Sequence, residues 1–159
     1  MNFDELLAPV AGEPRVDDAL ASWRWLVPGA VKPLVATAFG DLFVTDESAA
    51  VWFLDIVGGR FERVADSIAA WEQLLRDSAF LEQHFVPTFV LQLREAGAIL
   101  FQGECYVPKR EPVLGGSWEI QNWSPGRWVR HLERQGRVHF AIKDLPDGTQ
   151  ITKWNYTEL

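Results

Sequence analysis

The chain has 159 residues, a net charge of −7 and one cysteine. This length fits a single domain, residues 1–159, since domains commonly run to about 100–200 residues. The acidic balance repels nucleic acid and anionic lipid and attracts a basic partner. One cysteine excludes an intramolecular disulfide, and no apolar run reaches the ~20 residues that span a bilayer. These features predict a cytoplasmic protein that binds neither nucleic acid nor membrane.

The first thirty residues carry two helical patterns. An apolar stripe at 3–7 predicts a short helix, which the turn residues 9–14 close. Asp17 and Asp18 then lie in the first turn of a second apolar pattern, where acidic side chains favour a helix N-terminus. That helix is expected to end at Pro28.

From residue 34 the hydrophobic period becomes that of strands. Polar turns separate four apolar runs, which predicts an antiparallel meander. The pair Gly58-Gly59 suits a two-residue hairpin turn, which requires positive φ. The four runs are 34–39, 42–44, 51–57 and 61–64.

After residue 66 the spacing of apolar residues becomes that of helices. Asp66-Ser67 is the predicted N-cap of a helix with apolar residues between 68 and 75. A second helical segment covers 85–93 and ends at Gly97, a common residue after a helix C-terminus. Pro87 is expected either to begin that helix or to kink it.

The C-terminal third is rich in loops, with predicted strands at 138–142 and 150–154 around a turn at 146–148. The whole pattern predicts an α+β fold. Its antiparallel sheet combines the meander with the C-terminal strands, and two to four helices pack against it.

Metal and nucleophile sites find little support in the sequence. His84, His131 and His139 match no ligand spacing, and Cys105 lacks a second cysteine, so no metal or cofactor is expected. The histidines are expected to be on the surface or hydrogen-bonded. Glu104 would raise the pKa of the Cys105 thiol, which favours a buried structural cysteine over a nucleophile. No catalytic residue is assigned.

Paired carboxylates leave one enzymatic alternative open. The meander contains Asp41, Asp46, Glu47, Asp55, Glu62 and Asp66. Acid–base catalysis needs one carboxyl held in an apolar pocket with a shifted pKa. Most of these positions are predicted turns or the solvent face of a hairpin, so we expect no enzyme. The alternative is a pocket formed by the meander and the loop around Gly115.

A second alternative is a small-ligand or carbohydrate-binding module. Trp118, Trp123 and Trp128 would form its stacking platform if all three indoles were exposed. Basic residues lie among these tryptophans, a composition also found in nucleic-acid binders, but nearby glutamates dilute them. The basic residues are Lys109, Arg110, Arg127, Arg130, Arg134 and Arg137.

Several segments together resemble a known family. They are FGDLFV at 39–44, VWFLD at 51–55, ECY at 104–106, PVLGG at 112–116 and HFAIKDLPDGT at 139–149. In this order and spacing they resemble the carboxy-terminal domain of bacterial type VI secretion DNase-immunity proteins, over roughly residues 20–155. These are turn and loop signatures, and they identify a fold better than an activity.

The resemblance implies an α+β domain, without catalysis or cofactor, that neutralises a toxin by stoichiometric binding. An acidic immunity protein would associate rapidly with a basic toxin such as a nuclease, which carries a cleft for phosphates. The expected partner-binding residues are the turn carboxylates Asp41, Asp46 and Glu47, taken as exposed, with Trp118 and Trp123 as anchors.

Overall fold

The computed structural model describes residues 1–155, which contain two β-sheets and five α-helices. The strands are β1 (Lys32–Ala36), β2 (Leu42–Thr45), β3 (Val51–Asp55), β4 (Arg60–Ala65), β5 (Glu104–Pro108) and β6 (Trp123–Arg127). The helices are α1 (Val16–Leu20), α2 (Ile68–Leu74), α3 (Ser78–Phe85), α4 (Pro87–Glu95) and α5 (Trp128–Ile142). Short 3-10 helices lie at Phe3–Leu6, Ala21–Trp23, Pro112–Leu114 and Ile120–Asn122. The predicted α+β class is confirmed, with five α-helices rather than two to four.

Strands β1 to β4 form the predicted antiparallel meander, each strand pairing with the next in the chain. The β3–β4 turn is longer than predicted. Asp55 pairs with Arg60, so residues 56–59 form the turn rather than two glycines alone. Of the two glycines, Gly59 has positive φ, at 72°. The Asp55 carboxylate accepts a hydrogen bond from the Gly58 amide at 2.6 Å and so stabilises this wider turn.

One face of the meander packs against α2, α3 and α4. Phe43 and Phe53 project from adjacent strands, and their rings lie 4.7 Å apart. The Phe43 ring also contacts Trp71 of α2 at 5.3 Å and Phe85 of α3 at 5.2 Å. Each fully buried aromatic side chain stabilises the fold by about 1.5–3 kcal/mol, so this aromatic layer is a main source of stability.

The opposite face packs against α1 and α5. Leu42 and Leu54 pair across β2 and β3 and lie in a second core with Trp23 and Leu132. The Trp23 indole donates a hydrogen bond to the Leu132 carbonyl oxygen at 2.9 Å, which fastens the N-terminal region to α5. Because helices cover both faces, all four residues of β2 are buried.

Local sequence signals explain where α2 to α4 begin and end. The predicted N-cap is confirmed, since the Ser67 hydroxyl accepts a hydrogen bond from the Ala70 amide at 3.1 Å. Val86 has φ 49° between α3 and α4, and Pro87 is the first residue of α4. Proline suits this position because the first helical amide needs no partner within the helix. Gly97, with φ 87°, follows the end of α4.

The predicted C-terminal strands are wrong. Residues 138–142 are the last part of α5, and residues 150–155 belong to no strand. Gly136 lies within this helix, although glycine disfavours helices. It is needed for packing, because a Cβ there would overlap Ser22. The buried positions of α5 recur every three or four residues, which is the helical period. They are Trp128, His131, Leu132, Gln135, Gly136, Val138 and His139.

Candidate functional site

A cleft of about 370 Å³ opens between the β3–β4 hairpin, the end of α3 and the loop that follows β5. We call it the acidic cleft. Its lining residues with carboxyl or guanidinium groups are Asp41, Asp55, Arg60 and Glu62. Its aromatic lining residues are Phe53, His84 and Trp118.

Strand register places the hairpin residues in the cleft. Side chains two apart on a strand share a face, and directly paired residues lie side by side. Phe53 pairs with Glu62, and Asp55 pairs with Arg60. The register therefore brings one aromatic and three charged side chains to the same end of the sheet. The Arg60 guanidinium lies 3.0 Å from an Asp55 carboxylate oxygen.

Asp41 lies at the floor of the cleft, and only 7% of its surface is exposed. Its carboxylate accepts hydrogen bonds from the Ile56 amide at 2.8 Å and from the Thr37 hydroxyl at 3.3 Å. Burial, and then the negative charge of Asp55, raises the pKa of Asp41 to about 8. Its carboxyl group is therefore mainly protonated at neutral pH. The expectation that Asp41 is an exposed turn carboxylate is wrong.

His84 is the buried imidazole of the cleft wall, on α3. Its Nδ1 lies 3.0 Å from the Phe80 carbonyl oxygen, so Nδ1 carries the donated proton. Within residues 1–155 the other ring nitrogen has no hydrogen-bond partner. The ring also stands perpendicular to Phe53 at 4.8 Å. The histidines were expected to be either on the surface or hydrogen-bonded. His84 is buried and hydrogen-bonded, which agrees with the second of these.

The far wall of the cleft is a loop held in one shape by Asn122. The Asn122 amide donates hydrogen bonds to the carbonyl oxygens of Arg110 and Ser117, each at 2.9 Å. Its side-chain oxygen accepts from the Arg110 amide at 3.1 Å. The Trp123 indole also donates to Ser117, at 3.1 Å. Only glycine fits at position 116, because a Cβ there would overlap the Arg110 carbonyl oxygen.

The three tryptophans of the predicted stacking platform differ in how far they are buried. Trp118 is 47% exposed, but Trp123 and Trp128 are only 3% and 2% exposed. The Trp128 indole donates to the Gly40 carbonyl oxygen at 3.0 Å inside the second core. The platform is therefore wrong, because two of its indoles are core residues. Trp123, which was expected to be an interface anchor, lies in the core and is 3% exposed.

The expected partner-binding residues lie in two places. Asp41 and Trp118 line the same cleft. Asp46 and Glu47 follow the other end of β2. The Asp46 carboxylate stabilises its own turn. It accepts hydrogen bonds from the Ser48 amide at 2.9 Å and from the Trp52 indole at 2.8 Å. Glu47 is exposed. No sequence pattern indicated that Arg60 or His84 belongs to the site. Strand pairing brings Arg60 to the cleft, and the packing of α3 brings His84.

Cys105 is buried and does not line the cleft. Burial raises the pKa of the Cys105 thiol well above its usual range, and the charge of Asp41 adds to this effect. Cys105 is thus the buried cysteine that was predicted. Among residues 1–155, no group of three or more histidine, cysteine or acidic residues is arranged to hold a metal ion. No helix in the described part of the chain is long and apolar enough to cross a bilayer.

The fold and the cleft define an α+β protein with an acidic, aromatic-walled recess. Residues 65–134 match the family model described as "T6SS immunity protein Tdi1, C-terminal". The resemblance to the carboxy-terminal domain of type VI secretion immunity proteins is confirmed over this stretch, which contains α2 to α4, β5, β6 and the loop that carries Trp118. The description of the family does not specify a DNase target.

Structural similarity supports the fold alone. The chain superimposes on the "Crystal structure of Atu4351 from Agrobacterium tumefaciens" with a TM-score of 0.56 and 16% sequence identity. The match covers 78% of this chain and 65% of that chain. The present chain therefore spans less than two thirds of that protein. No curated protein matches the chain in sequence.

Proposed function

We propose that this protein is a cytoplasmic immunity protein that neutralises a cognate bacterial toxin by stoichiometric binding. The single observation that carries the proposal is the match of residues 65–134 to a type VI secretion immunity family. This segment supplies one wall of the acidic cleft and the exposed Trp118. Neutralisation of this kind requires a complementary surface and no chemistry of the protein's own.

The charge of the chain supports a basic toxin. A net charge of −7 accelerates association with a basic protein and disfavours direct binding of nucleic acid. Nucleases carry basic clefts for phosphate groups, so a nuclease is the toxin class that this charge fits best. A toxin held in this way would be blocked in a one-to-one complex.

The test is a tagged pull-down from the native bacterium while its type VI secretion genes are expressed. The proposal expects one partner at near-equal stoichiometry that stops growth when expressed alone in a second host. Co-expression of the chain should restore growth. Absence of such a partner under these conditions would contradict the proposal.

A second candidate function is carboxylate chemistry in the acidic cleft. The observation that favours it is the buried Asp41, whose pKa near 8 suits a general acid, beside the charged Asp55. Native mass spectrometry of the purified protein tests this candidate. A small molecule retained by the wild type and lost in Asp41→Asn would support it. An empty wild-type protein without toxin-binding activity would leave both candidates without support.

A further inference from the structure

Trp118 separates two depressions on the protein surface. On one side is the acidic cleft, and on the other is a shallow groove formed by the end of α4 and residues 119–121. The two depressions together are lined by five acidic residues and one basic residue. The acidic residues are Asp41, Asp55, Glu62, Glu95 and Glu119, and the basic residue is Arg60.

The same face exposes three large apolar side chains from one loop. Val113, Trp118 and Ile120 are 38%, 47% and 37% exposed. An exposed tryptophan with apolar neighbours and a charged rim is the usual composition of an energetic centre in a protein interface. The charge of the rim selects a partner whose matching surface is basic.

Neighbouring aromatic rings hold the Trp118 side chain in place in the unbound protein. Its ring stacks on Trp123 at 4.7 Å and forms T-shaped contacts with Phe39 and Phe89, each at 5.6 Å. Asn122 fixes the backbone of the loop that carries it. A prearranged aromatic anchor loses little conformational entropy on binding, which favours affinity.

We infer that this face is the toxin-docking surface and that the acidic cleft receives an arginine or lysine side chain of the toxin. The inference rests on the proposed function and names its interface. The cationic group would lie against Asp55 and Glu62, and its aliphatic part would pack on Trp118. Because Arg60 already pairs with Asp55, the incoming cation would exchange with Arg60, whose side chain is 67% exposed.

The first experiment uses the purified chain and a small probe, N-acetylarginine amide, with N-acetylglutamine amide as the neutral control. The indole resonances of the tryptophans are followed by NMR, and Trp118→Phe assigns the signal of Trp118. We expect a saturable shift of the Trp118 indole with the cationic probe alone. Glu62→Gln should weaken this binding roughly fivefold. The matched variant Glu72→Gln removes an exposed glutamate outside the cleft and should leave it unchanged.

The inference is overturned if the cationic probe gives no saturable shift up to its solubility limit. It is also overturned if Glu62→Gln and Glu72→Gln respond alike. Circular dichroism and a retained Trp23 indole signal would show that each variant is folded, so a loss of binding could not be assigned to unfolding.

The second experiment uses the toxin complex, once it is isolated. Trp118→Ala should weaken the complex tenfold or more, by about 1.4 kcal/mol per tenfold change. Phe101→Ala removes another exposed aromatic side chain, outside the docking surface, and should change affinity little. A complex that tolerates Trp118→Ala and Glu62→Gln would refute the docking surface while leaving the proposed function intact. If the cleft binds the arginine probe but the pull-down recovers no toxin, the proposed function is refuted while the cation-binding cleft stands.

Discussion

Asp41 accepts a hydrogen bond from the Ile56 amide at 2.8 Å, and this contact joins the β1–β2 turn to the β3–β4 turn. A carboxyl group in this position is removed from water and lies near the charge of Asp55, so its pKa rises to about 8. The floor of the cleft is therefore mainly neutral at pH 7 and becomes negative in mildly alkaline solution.

The stability of Asp41→Asn relative to wild type should increase as pH rises. The folded pKa of about 8 lies above the ordinary value of 3.8, so the folded wild type binds more protons than the unfolded chain between these values. Its free energy of unfolding then falls as pH rises, by about 1.4 kcal/mol per pH unit. Denaturant unfolding at pH 5, 6.5 and 8 measures this. Asp147→Asn, at an exposed turn, should show no such divergence from wild type.

His131→Leu should remove part of the acid sensitivity of the fold. His131 is buried on α5, and neither ring nitrogen has a hydrogen-bond partner in the described chain. Burial, and then the charge of Arg134, lowers its pKa to about 3. The unfolded chain therefore takes up a proton below pH 6.5 that the folded protein does not, and stability is lost as pH falls. The stability difference between wild type and variant should shift by about 2 kcal/mol between pH 7 and pH 5. Parallel unfolding curves at the two pH values would contradict this.

Asp46→Ala should lower the melting temperature, but Glu47→Ala should not. The Asp46 carboxylate accepts hydrogen bonds from the Ser48 hydroxyl, the Trp52 indole and two amides of its own turn, and these bonds keep its pKa below the usual value. Its contribution is present above pH 4 and is lost as pH falls through the lowered pKa. Glu47 is exposed on the same turn and serves as the control. Equal melting temperatures for the two variants would show that the turn does not depend on Asp46.

Gly116→Ala should disturb the wall of the acidic cleft. A Cβ at this position would overlap the Arg110 carbonyl oxygen, so the backbone must move at a cost of about 1–3 kcal/mol. We expect a lower melting temperature and a shifted Trp118 indole resonance. Ser117→Ala keeps the backbone carbonyl that Asn122 and Trp123 bind and should match wild type in both measurements.

Local patterns predicted the elements whose stabilising contacts are close in sequence. The meander and the Ser67 cap follow from turn residues and hydrophobic period, and each is present. Of the two roles left open for Pro87, it begins a helix. Helix α5 was missed because Gly136 and the surrounding polar residues are typical of loops. The reason for that glycine is the close approach of Ser22, more than one hundred residues earlier in the chain.

The site could be predicted only in outline. A pocket formed by the meander and the loop around Gly115 was an alternative that the sequence left open, and the acidic cleft lies between these two parts of the chain. Burial of Asp41 could not be read from a Gly-Asp turn, because the β3–β4 turn that covers it is distant in sequence. Trp118 and Trp123 are five residues apart in similar surroundings, and only the packing of the loop exposes one and buries the other.

The most direct test of the immunity function is a growth assay in a host that expresses the captured partner from an inducible promoter. Co-expression of the wild-type chain should restore growth, and the two proteins should then co-purify at one-to-one stoichiometry. Trp118→Ala, produced at the same level, should restore growth less well. A partner whose toxicity is unaffected by the folded wild-type chain would contradict the central claim.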